Sequence, residues 1–132
     1  MTITIGTDSL CDGADRSVDK NAGPSNFVMT GSLSPQVAEY IRADDVTVFN
    51  RKNRKSELAF DVKRQCSSVA AAESLAALYP WTVTRSGTLT ITTTAGAVRI
   101  LTAVLDVVRC SHDGATVFIS YHAVGGKVEV VP

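Results

Sequence analysis

The sequence predicts an α+β protein, mainly an antiparallel β-sandwich or barrel that carries one packed α-helix at about Ser68–Tyr79 and ends in a β-meander. Three observations lead to this. Runs of β-branched and apolar residues recur through the C-terminal half, each bounded by turn residues such as Asp113-Gly114 and Gly125-Gly126. The segment Glu57-Leu58-Ala59-Phe60-Asp61-Val62-Lys63 alternates apolar with mostly charged positions, the period of a half-buried strand. Between these β-rich regions lies a single alanine-rich stretch with helical spacing.

Taken in order, Thr2 to Ile5 reads as a strand and Gly6 to Asn26 as a long polar loop. Ser34-Pro35 can open a short helix reaching Ile41. Val46 to Phe49 and the strand at 57–63 form an expected hairpin whose tip is Arg51-Lys52-Asn53-Arg54. In the helix, Ser67 or Ser68 can cap the free N–H groups, and Val69, Ala72, Leu75, Ala76 and Tyr79 make one apolar stripe. Pro80 is expected to stop it, and Trp81 to pack as a lid on the core.

Four strands then follow at Thr88–Thr94, Val98–Arg109, Ala115–Val124 and Lys127–Val131. Asp113-Gly114 suits a type I′ hairpin turn, because both residues tolerate positive φ. Gly125-Gly126 is expected to turn the chain again. Alternation by itself is the same for a barrel and a sandwich.

The chain of 132 residues is the size of a single domain, with residues 1–45 as an irregular N-terminal segment holding a long acidic loop and 46–132 as hairpin, helix and meander. Apolar residues make up 45% and charged residues 20%, which suits a folded core rather than a disordered chain. Three widely spaced cysteines, Cys11, Cys66 and Cys110, give neither a disulfide framework nor a zinc knuckle. The N-terminus lacks a basic segment followed by an apolar one, and no apolar run reaches about 18 residues, so neither secretion nor a membrane partner is expected.

Thirteen bases balance thirteen acids, yet they are unevenly placed. Residues 1–45 hold Asp8, Asp12, Asp15, Asp19, Glu39, Asp44 and Asp45 against only Arg16, Lys20 and Arg42. Residues 46–64 reverse this, with Arg51, Lys52, Arg54, Lys55, Lys63 and Arg64 against Glu57 and Asp61. An acidic segment followed by a basic one suits head-to-tail contact between copies. The candidate contact residues are therefore Arg51, Lys52, Arg54 and Lys55 at the hairpin tip and Asp8, Asp12, Asp15 and Asp19 in the acidic loop. The same tip could meet phosphates, but few charges and no aromatic platform accompany it, so nucleic acid stands behind a protein partner.

No catalytic, cofactor or metal site is expected. His112-Asp113 beside Cys110 lies around a turn, where Asp113 already has a role, and His122 lies too far along the return strand to join His112 on a metal. There is no Gly-x-Ser-x-Gly elbow, no Gly-x-x-x-x-Gly-Lys loop and no Gly-x-Gly-x-x-Gly turn.

Three stretches, Arg51-Lys52-Asn53-Arg54-Lys55-Ser56-Glu57-Leu58-Ala59-Phe60-Asp61-Val62-Lys63-Arg64, Ser68-Val69-Ala70-Ala71-Ala72-Glu73-Ser74-Leu75 and Ser86-Gly87-Thr88-Leu89-Thr90, follow one another. This order resembles small proteins encoded among phage or prophage tail genes, of the tail-tube or distal-tail kind. The likeness covers roughly residues 46–131 and is a pattern of elements rather than a diagnostic motif. It implies a non-enzymatic structural subunit, with no catalytic residues or cofactors. Its partners would be further copies of itself in a ring or tube, together with other tail proteins. It would reside in the virion tail after assembly in the bacterial host cytoplasm. A small nucleic-acid-binding module using residues 51–55 is the alternative.

Overall fold

The computed structural model describes residues 1–30, 56–126 and 128–131. They form one eight-stranded antiparallel sheet and one helix. The strands are β1 Thr2–Ile5, β2 Asp8–Cys11, β3 Asn21–Thr30, β4 Ser56–Gln65, β5 Ser86–Thr93, β6 Gly96–Asp113, β7 Thr116–Gly125 and β8 Val128–Val131. The helix α1, Val69–Thr82, lies between β4 and β5 in the chain. The strand order is β2-β1-β5-β6-β7-β4-β3, with β8 also on β6. The expected mainly antiparallel α+β architecture is the observed one.

Strand register puts the large apolar side chains on one face. Ile3 pairs with Ile91 and Ile5 with Leu89, while Leu89 pairs with Ile100. In the other half Leu58, Phe60 and Val62 pair with Ala123, Tyr121 and Ile119, and Leu105 pairs with Ala123. Directly opposed residues share a face, so these form one continuous core with Leu10 and Ala72. The outer face carries the intervening positions, among them Thr90, Thr92, Glu57, Lys63 and Asp106.

The sheet does not close. Its two end strands meet only where the β2–β3 connection bonds across. There the Asp12 N–H donates to Asn21 O at 2.8 Å and the Gly23 N–H to Gly13 O at 2.8 Å. Gly23 also lets β3 lie close to β4, since a Cβ there would come 3.0 Å from the backbone oxygen of Asp61. The region expected as one loop over 6–26 thus contains β2 and the start of β3. Their few apolar residues hid them, because β2 is four residues long and β3 opens on Asn21-Ala22-Gly23-Pro24.

Among the described residues β4 pairs with β3 on one side and β7 on the other. The expected hairpin between 46–49 and 57–63 takes its first strand from residues that are not described. Residues 46–49, like the expected helix from Ser34 to Ile41, lie outside the described residues.

The Gly125-Gly126 step is a kink and not a hairpin turn. Beyond it β8 continues along the same edge of β6, so β7 and β8 pair consecutively with residues 113–104 and 100–97 of that strand. Opposite the kink, Thr102 adopts φ +52° and its neighbour Leu101 O accepts the Gly126 N–H at 3.1 Å. A Cβ on Gly125 would come within 2.0 Å of the buried Ile100 side chain, so only glycine fits there.

Helix α1 begins where expected, with Ser68 Oγ accepting the Ala71 N–H at 3.1 Å. It does not stop at Pro80 but runs on to Thr82. The proline costs one backbone hydrogen bond and ends the helix within a turn rather than at once. α1 packs on β6 and β7 through the buried Ala72 and the half-buried Ala71, Leu75 and Tyr79. Among the described residues no helix is long and apolar enough to cross a membrane.

Candidate functional site

Helix α1 is held to the sheet by a polar lock inside an apolar contact. The Tyr79 and Tyr121 hydroxyls hydrogen-bond at 2.7 Å, and Tyr121 in turn packs on Phe60 with ring centroids 5.0 Å apart. Burial pushes the acidity of both phenols down, raising their pKa, and most strongly for Tyr121. The lock fixes which side of the helix faces the sheet.

The opposite side carries large apolar residues beside the exposed Glu73 and Ser74. Leu78 is 58% exposed and Trp81 is 77% exposed, one helical turn apart, with Ala70 and Ala77 exposed on the same side. Trp81 is therefore no lid on the core, contrary to the sequence expectation. Once the helix runs through Pro80, position 81 falls two residues beyond Tyr79, on the far side from the lock. Val69, expected in the buried stripe, is 51% exposed.

The acidic residues are tied into their own surroundings. Asp8 accepts a hydrogen bond from the Thr84 hydroxyl. Asp12 accepts from Ser9 Oγ at 2.7 Å and from the Asn21 N–H at 2.8 Å. Asp15 accepts from the Ser17 hydroxyl at 2.6 Å and its N–H at 2.9 Å, which lowers its pKa, the hydroxyl bond contributing most. Asp19 lies 4.0 Å from Arg64. Arg51, Lys52, Arg54 and Lys55 lie outside the described residues, so the expected meeting of basic tip and acidic loop has no described geometry.

The same β2–β3 connection presents bases. Arg16, Lys20 and Lys63 line a cleft of about 520 Å³ beside the ends of β4 and β7. Sequence reasoning missed it because the three residues come from two segments that meet only in space. It likewise missed the Leu78–Trp81 side, although their spacing of three on a helix was a readable signal.

The other side chains that invite chemistry stay apart. His112 Nδ1 is 3.4 Å from Gly114 O, and His122 Nε2 is 3.9 Å from a Glu57 carboxylate oxygen. In register, His112 faces Val117 and His122 faces Asp106, so the two rings are separated along the ribbon. Burial raises the pKa of the Cys11 and Cys110 thiols. Among the described residues no group of three or more His, Cys, Asp or Glu could hold a metal ion. No protein-family model matches the chain, and neither curated proteins nor solved structures give a match.

Proposed function

We propose that the protein is a non-enzymatic structural subunit of a phage tail or tail-like particle, which associates with further copies of itself through the outward side of α1. The observation that carries this reading is Trp81, 77% exposed beside an exposed Leu78 near the C-terminal end of α1. A tryptophan and a leucine left in solvent one turn apart form an apolar patch of the kind that partner surfaces cover. A second copy is the occupant favoured by the charge pattern, in which a net acidic segment at 1–45 is followed by a net basic one at 46–64. The nucleic-acid alternative rests on residues 51–55 and draws nothing from the described geometry.

The test is light scattering and negative-stain imaging of the purified chain across a concentration series, alone and with the products of neighbouring genes. Rings, tubes or a defined oligomer are expected, and L78S/W81S is expected to lower the oligomer population without lowering Tm. A protein that stays monomeric throughout and joins none of those neighbours sinks the reading.

A further inference from the structure

We infer that the cleft between the β2–β3 connection and the ends of β4 and β7 binds a small organic phosphate. Arg16 and Lys20 come from the connection and Lys63 from the outer face of β4, and all three line one recess. Among the described residues no carboxylate lines it. The connection is rich in acids, but Asp12, Asp15 and Asp19 are each engaged as described above, with Ser9, Asn21, Ser17 and Arg64. Among the described residues neither Arg16, Lys20 nor Lys63 makes an ion pair, although Lys20 acts on Asp15 from a distance. The loop's acids are thus held by local partners while its bases border the cleft.

Lys63 Nζ stands 5.5 Å over the Phe118 ring, a cation–π contact at the side of the cleft that borders a neighbouring concavity. Gln65 Oε1 is occupied by the Thr116 hydroxyl at 2.8 Å, so its amide NH₂ remains to donate. Lys63 also borders an adjoining concavity of about 420 Å³, which adds Arg109. The one acid there, Asp61, accepts from Asn26 Nδ2 at 2.8 Å.

Three cations bordering one cleft favour a doubly charged group over a single carboxylate, and a phosphate monoester is close to a dianion at neutral pH. A volume of about 520 Å³ exceeds what one inorganic ion fills and falls in the range of small-molecule sites. Pro24 and Ala22 give the recess an apolar wall, against which the organic part of such a ligand can pack. Extended nucleic acid fits less well, because the aromatic ring at hand, Phe118, already has Lys63 over its face.

The experiment is a titration of the full chain with ribose 5-phosphate, followed by calorimetry and by amide chemical shifts, with inorganic phosphate and citrate as comparison ligands. Saturable one-to-one binding is expected, weakened by salt, with shifts at Gly23, Gln65 and Thr116. R16A/K20A/K63A is expected to lose at least about tenfold in affinity with an unchanged melting curve, whereas R99A, on the other half of the sheet, is expected to bind normally. The inference is overturned by any of three results. These are no saturation up to about 10 mM ribose 5-phosphate, full affinity in the triple variant, or citrate binding as tightly as the phosphate ester.

Discussion

The inner face of the sheet and the outward side of α1 both carry large apolar side chains, but only those of the first are covered. Phe60, Tyr121 and Ile119 are each about 1% exposed, while Leu78 and Trp81 on the helix stand mostly in solvent. Burial of the first set is what drives this chain to fold. The second set adds nothing comparable to the stability of the isolated chain. Apolar character alone therefore does not mark the core; pairing register does.

Substitutions on the two sides sharpen that contrast, and the largest effect is expected inside. Phe60→Ala removes a ring packed 5.0 Å from Tyr121 and should cost about 3–5 kcal/mol, read by urea unfolding. A loss below about 1 kcal/mol would show that the inner face is not the core. Next comes Gly125→Ala, whose new methyl would strike Ile100 at the kink. An overpacking cost of about 1–3 kcal/mol is expected, against near neutrality if β7 and β8 were joined by an open turn.

Tyr121→Phe keeps the inner ring and deletes its half of the polar lock, for an expected loss of about 1 kcal/mol at neutral pH. The lock also has a pH signature. The folded pKa of Tyr121 is raised above the unfolded value of about 10, so its stabilisation is fully present below that pH and is lost as pH rises towards the folded value. Alkaline unfolding followed by circular dichroism should thus begin above about pH 10 in the wild type and be shallower in Tyr121→Phe, with Tyr79 supplying the remaining slope. An identical alkaline profile in the two proteins would contradict the buried hydroxyl pair.

The smallest stability effect is expected outside. Trp81→Ser should change unfolding free energy by no more than about 0.5 kcal/mol, since an exposed side chain gains little on folding. Its effect should appear in association instead, measured by sedimentation at several concentrations. A loss of several kcal/mol in the monomer would mean that Trp81 belongs to the core after all.

Much of this was legible in the chain because local pattern and tertiary environment agreed. β4 alternates without a break, and its buried and exposed residues fall where the alternation puts them. Ser68 caps α1 as its chemistry suggests, and Asp113-Gly114 joins β6 to β7. The N-terminal strands were harder. β2 is a four-residue strand that turns back on β1, while β3 opens on Asn21-Ala22-Gly23-Pro24 and finds its partner β4 far along the chain. Trp81 and the Gly125-Gly126 step misled for a related reason, because each residue type has a usual role that its neighbours here override.

The sequence by itself determined the class of fold, the single helix and its start, and the faces of the central strands, since these follow from periods of two and 3.6 residues and from capping chemistry. It also established that acids and bases are segregated along the chain. Only the tertiary structure decided which strands pair, that β8 continues beside β6, that Trp81 points outward, and that Arg16, Lys20 and Lys63 share a cleft. Those facts depend on long-range register and on which charges a loop uses to hold its own shape, and neither is encoded in local spacing.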